Sequence, residues 1–176
     1  MTTWKQAGRR ALYSGSAAAV LSALALAICG RRERGSASAA LNGPSQWVWG
    51  ESAAYRRRAS LRHTLLGYCI HHVASVGWAT LHEKHFASRV QGRGVLPHLV
   101  AGAATATLAC VVDFKVARGR LQPGFNKQLS RRSLALVYAG FGLGLALGRL
   151  RSGTCVPRRH EDPGCIDDGP AGRRRL

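Results

Sequence analysis

Charge in this chain is sorted into blocks, and that sorting restricts what it can fold into. Four stretches, Ala11–Gly30, His63–His82, Gly94–Val112 and Ser133–Gly148, contain no Asp, Glu, Lys or Arg. The basic residues lie between and outside them. A helix on the surface of a soluble domain interleaves charge with apolar residues at helical spacing. Charge-free runs flanked by Arg and Lys are the pattern of membrane spans. An 18-residue helix is roughly 27 Å long, close to the hydrocarbon thickness of about 30 Å. The mean hydropathy of −0.08 is an average over these opposed segments. The expectation is an all-α integral membrane four-helix bundle over residues 1–150, with spans at about 11–30, 63–82, 95–113 and 133–149. Short basic loops join the spans, and 151–176 is read as a disordered basic tail, rich in Pro, Gly and charge.

The formal charge of +18 comes mostly from arginine, since Lys5, Lys84, Lys115 and Lys127 are the only lysines. Basic clusters that flank apolar runs fit the anionic headgroups of a lipid bilayer. A nucleic-acid partner is not expected: no finger spacing, RNA-recognition aromatic motif or basic helical region is present. Arg and Ala richness points to a GC-rich bacterial genome, and so to the bacterial inner (cytoplasmic) membrane, with multiple passes. The positive-inside count is balanced between the two sides once Arg173, Arg174 and Arg175 are included, so it assigns no orientation. The five cysteines show no regular spacing and form no disulfide framework.

Arg9-Arg10 ahead of an apolar run resembles a secretory or twin-arginine signal. The run is long for such a signal, and Arg31, Arg32, Glu33 and Arg34 intervene before the Ala37-Ser38-Ala39 site. An uncleaved first helix is the favoured reading. Its Gly15, Ala19, Ala23 and Ala27 recur every four residues, a face for close packing. In the fourth block Gly140, Gly144 and Gly148 repeat the spacing more strongly. These three predict tight packing against a helix of this chain, of a second copy or of a membrane partner. Ser130 and Ser133 are the candidate caps of that helix.

The long connection from Arg31 to Ser60 turns at Asn42-Gly43-Pro44 and then carries Trp47, Trp49 and Tyr55 beside Arg56, Arg57 and Arg58. This composition suits a short segment lying in the headgroup layer, helical from Ser45. A substrate-binding loop is the alternative. The second connection, Ala117–Arg132, turns at Gln122-Pro123-Gly124.

The second block is unusual in its imidazole. His63, His71, His72, His82 and His85 lie in or beside it. At about 100° per residue, with His63 at zero, His85 falls near 40°, Trp78 near 60°, His71 near 80° and Thr64 and His82 near 100°, with Ser75 and Tyr68 just beyond. Only His72, near 180°, is off this stripe. A polar stripe on an apolar helix must face protein, because lipid offers no hydrogen-bond partner. Its ordinary use is interhelical hydrogen bonding, with no cofactor. Two alternatives exist. His71 and His63 are the candidates for haem, and His82, His85 and His98 for a divalent metal, since His98 opens the next helix near the same membrane face. The stripe is also a candidate path for protons or a solute. Asp113 ends the third helix where the second begins, so an ion pair with Arg62, or a contact with His63, is expected there.

His82-Glu83-Lys84-His85 is one residue short of the zinc-protease pattern, and there is no P-loop, Rossmann fingerprint or GxSxG. Cys155, His160 and Cys165 match no standard zinc module. Nothing marks the chain as an enzyme. Three segments, NGPSQWVWGE, RHTLLGYCIHH…GWATLHEKHF and VVDFKV…LQPGFNKQLSRRSLALVYAGFGLGLALG, resemble small uncharacterised bacterial inner-membrane proteins, over roughly residues 41–149. That resemblance implies a polytopic fold and brings no activity. The expected function is structural or accessory in the inner membrane, with a haem- or metal-binding redox component or a small transporter or channel subunit as alternatives.

Overall fold

A computed structural model describes residues 2–152, with side chains to residue 148. The expected tail from residue 153 on, including Cys155, His160 and Cys165, lies outside the described residues, and its first two residues, 151 and 152, belong to the last helix. The described residues are predominantly helical, with no strand among them. Four long helices account for most of it: α1 (Trp4–Arg34), α2 (Leu66–His85), α3 (Val95–Val111) and α4 (Arg131–Ser152). Two stretches, Trp4–Arg34 and Val95–Val116, are long and apolar enough to cross a membrane.

Each long helix starts and stops for a local reason. Thr3 and Gln6 form a reciprocal capping box at the start of α1. Gly35, at φ 72°, ends α1 with its amide bonded back to Arg31. At 31 residues α1 is roughly 46 Å long, well beyond a bilayer core. A π turn over Leu61–Leu65 leads into α2, and another over Val112–Val116 extends α3. Ser130 supplies the cap of α4, accepting the amide of Ser133 at 3.4 Å, so the helix begins at Arg131, ahead of the charge-free block.

α1 is the hub. It packs most extensively on α4 and then on α2, and α3 packs mainly on α4. The α1–α4 seam is closed by small residues. A Cβ placed on Gly144 would lie 2.4 Å from the Cα of Ala18, and one on Gly148 would lie 2.5 Å from the Cα of Ser14. Gly140 faces the carbonyl of Leu21. Gly102 of α3 and Gly142 of α4 make the same kind of approach. Of the three partners the glycine face could serve, it is α1 of the same chain that occupies it.

The two long connections are more than the basic loops and headgroup-layer segment expected from the sequence. At the end of the bundle where α1 stops and α4 starts, the two long connections fold onto one another as a cap. Short helical turns at Ser38–Leu41, Gly43–Ser45, Gln46–Trp49 and Glu51–Tyr55 meet turns at Gly119–Leu121 and Phe125–Lys127. Gly43 touches the backbone of Gly124 and Phe125 closely, with no room for a Cβ. Buried Gln46 donates to the carbonyl of Gln122 at 2.6 Å, and Gln128 to that of Ala54 at 2.8 Å. Lys127 pairs with Glu51 at 2.5 Å. Glu33 accepts from the amide and hydroxyl of Ser130, both at 2.7 Å, and from Ser133. The aromatic segment is thus bound to protein on one side, while Trp47, Trp49 and Tyr55 stay exposed on the other.

Candidate functional site

Beneath the cap, where the four helices meet, lies a cavity of about 130 Å³. Ser22 of α1, His71 and Trp78 of α2, Asp113 at the end of α3 and Tyr138 of α4 line it, with Phe125 of the cap above. In its wall the Tyr138 ring packs edge to face on Phe125 at 6.4 Å, and behind it on Phe114 at 6.0 Å.

Its polar groups are arranged in pairs. The Tyr138 hydroxyl donates to Asp113 Oδ2 at 2.6 Å. His71 Nε2 meets Ser22 Oγ at 2.9 Å, and Ser22 spends its own proton on the carbonyl of Ala18 at 2.6 Å. A hydroxyl has one proton, so His71 must donate through Nε2. The same count applies at the other end of α2. Thr105 donates to the carbonyl of Ala101 at 3.0 Å and therefore accepts from His82 Nδ1 at 2.8 Å. Ser14 of α1 donates to buried Glu83 of α2 at 2.9 Å. His72 joins Ser16 of α1 at 3.1 Å. Polar groups inside the bundle are thus tied helix to helix, as buried polar groups require.

The sequence stripe is rotated relative to the observed contact face. His71, Ser75 and His82 face neighbouring helices, but so do His72, near 180° on the same projection, and Glu83, near 200°. His63 and His85, at the other edge of the stripe, fall away from them. His63 lies in the middle of the π turn, with Nδ1 3.1 Å from Ser60 Oγ, and does not meet His71. His85 is exposed, its ring edge-on to Trp4 at 5.9 Å. The expected metal set of His82, His85 and His98 is not brought together, and no group of three or more His, Cys, Asp or Glu among the described residues is placed to hold a metal ion.

Nor does the expected Asp113–Arg62 pair form. The Arg62 guanidinium stacks on the Trp49 ring at 4.2 Å, and the Trp49 indole donates to the Arg62 carbonyl at 3.0 Å. The cap draws Arg62 outward, and Tyr138 takes its place at Asp113. A haem also does not fit beside His71. The cavity is about 130 Å³, whereas small-molecule and cofactor sites run to roughly 300–1,000 Å³.

Sequence reasoning missed Glu83, Ser14, Ser22, Thr105 and Tyr138. The helical arc offered one signal: Ser75, Ala79 and Glu83 recur at spacing four, which puts a carboxylate on the small-residue face of α2. Ser14, Ser22 and Thr105 sit among alanines and glycines in the same way, small polar residues on packing faces. The chain matches no protein-family model, no curated protein and no solved structure.

Proposed function

We propose that the chain is a multi-pass protein of the bacterial inner membrane, with all four long helices spanning the bilayer and a structural or accessory rather than enzymatic role. One observation carries the membrane reading: the bundle is inside-out for water. Its principal core cluster is built largely from Ala11, Ala18, Ala79, Ala106 and Ala109, while Ser14, Ser22, Ser75, His82 and Glu83 are buried beside them. Leu26, Phe141 and Leu145 are buried with them, but many large apolar side chains point outward: Leu24 is 53 % exposed, Ile28 54 %, Val73 72 %, Val100 60 % and Leu136 57 %. In water that surface would be a severe aggregation liability. In lipid it is the expected arrangement, small residues between helices and branched ones on the tails. Histidines lower the hydropathy of α2, and the charge-free run of α4, Ser133–Gly148, is bounded by Arg131 and Arg132 on one side and Arg149 on the other, so these two enter the proposal through their packing on α1.

The accessory reading rests on the cap and the closed seams. Cap hydrogen bonds reach from one connection to the other, and the cavity beneath is small. Alkaline carbonate extraction of membranes containing the full chain tests the placement. Retention in the pellet is expected, and release as soluble protein overturns it. A second reading, a small transporter or channel subunit, draws on the Asp113–Tyr138 and His71–Ser22 pairs around the cavity. Liposome flux abolished by Asp113→Asn would favour it over the accessory role.

A further inference from the structure

On the outer face of the bundle, α3 and α4 part to leave a groove of about 660 Å³. Its floor is small, with Ala103, Ala106, Ala135 and Ala139, and its rims are Leu99 and Leu143 at one end and Phe114 at the other. Almost all of its lining is apolar, with one charged residue, Arg131, at the cap end. Arg131 is exposed and takes part in no ion pair among the described residues, and Lys115 and Arg132 are exposed at the same end of the helices. Along α4, Arg131 to Leu143 is roughly 18 Å, against roughly 15 Å for one leaflet of hydrocarbon. The groove therefore runs from the headgroup layer towards the midplane.

We propose that this groove is a binding site for one anionic glycerophospholipid, with an acyl chain along the alanine floor and the phosphate at Arg131. The proposal rests on the membrane placement above. Charge selects the occupant: a guanidinium at the mouth of an apolar furrow matches a molecule with a phosphate at one end and a hydrocarbon chain at the other. Each small side chain on the floor leaves room that a chain of methylenes fills. Among the described residues a second copy offers no carboxylate to Arg131, since Glu33 and Glu51 are bound within the cap and Glu83 and Asp113 within the bundle.

The test uses the purified full chain in mild detergent, titrated with dioleoylphosphatidylglycerol or dioleoylphosphatidylcholine and read by native mass spectrometry. One phosphatidylglycerol per chain is expected, preferred over phosphatidylcholine by roughly fivefold. Arg131→Gln is expected to abolish that preference while leaving acyl binding. Ala139→Trp, which fills the floor, is expected to remove both lipids, whereas Leu136→Trp, equally bulky on an exposed face outside the groove, is expected to bind as the parent does. Equal retention of the two lipids by the parent chain, unchanged binding in Arg131→Gln and Ala139→Trp, or a dimer in place of the lipid adduct would overturn the proposal. Carbonate extraction separates the two levels. A chain held in the membrane pellet but without lipid preference sinks the groove alone, and a chain released as soluble protein sinks both.

Discussion

The α1–α4 seam and the α3–α4 groove are made from the same residue types, yet one is closed and the other open. In the seam, Gly140, Gly144 and Gly148 lie opposite Leu21, Ala18 and Ser14, so backbone meets backbone. On the α3–α4 side that opposition holds at Gly102 and Gly142, and there the helices touch. Toward the cap, Phe114 and Tyr138 intervene. The alanines beside them then face outward across a gap. Small residues permit close approach, but only when each helix supplies them at the same level.

The sharpest way to break the contrast is to enlarge the seam. Gly144→Leu forces a side chain into the backbone of α1 and is expected to destabilise the bundle by more than about 3 kcal/mol, read as loss of the folded form in detergent melts. Gly102→Ala is the milder version where α3 touches α4. Its Cβ would fall 2.3 Å from the Gly142 carbonyl oxygen, and a loss of about 1–3 kcal/mol is expected by the same measurement. Ser22→Ala tests the polar ties rather than the packing. It leaves His71 Nε2 without its hydroxyl, and a loss of about 1 kcal/mol is expected, with altered hydrogen exchange of the His71 ring by NMR. Ala135→Leu, in the open groove, is expected to shift stability by less than about 0.5 kcal/mol. A large loss there would mean the groove is a closed seam after all.

The positions of the helices were legible because charge cannot sit where apolar runs do. The glycine spacing of α4 was legible as a packing face, but its partner was not, because spacing describes one helix and a seam needs two. The histidine stripe was half legible. Period placed His71, Ser75 and His82 on one arc, but the rotation of that arc was fixed by the small residues of α1, which drew His72 and Glu83 inward and left His63 and His85 outside. Arg62 and Asp113 were placed near one another by helix ends alone. Trp49, from a connection whose path no periodicity describes, captured the arginine instead.

By itself the sequence determined which stretches form the long helices, where charge is excluded and which faces are small, since each follows from residues a few positions apart. Tertiary structure decided which small faces meet, what the two connections build together and which polar groups become partners. The hydrogen bonds joining Gln46 to Gln122 and Ser14 to Glu83 link residues far apart in the chain. Such bonds depend on the packing of whole helices, and no local pattern records the distance between two surfaces that have yet to meet.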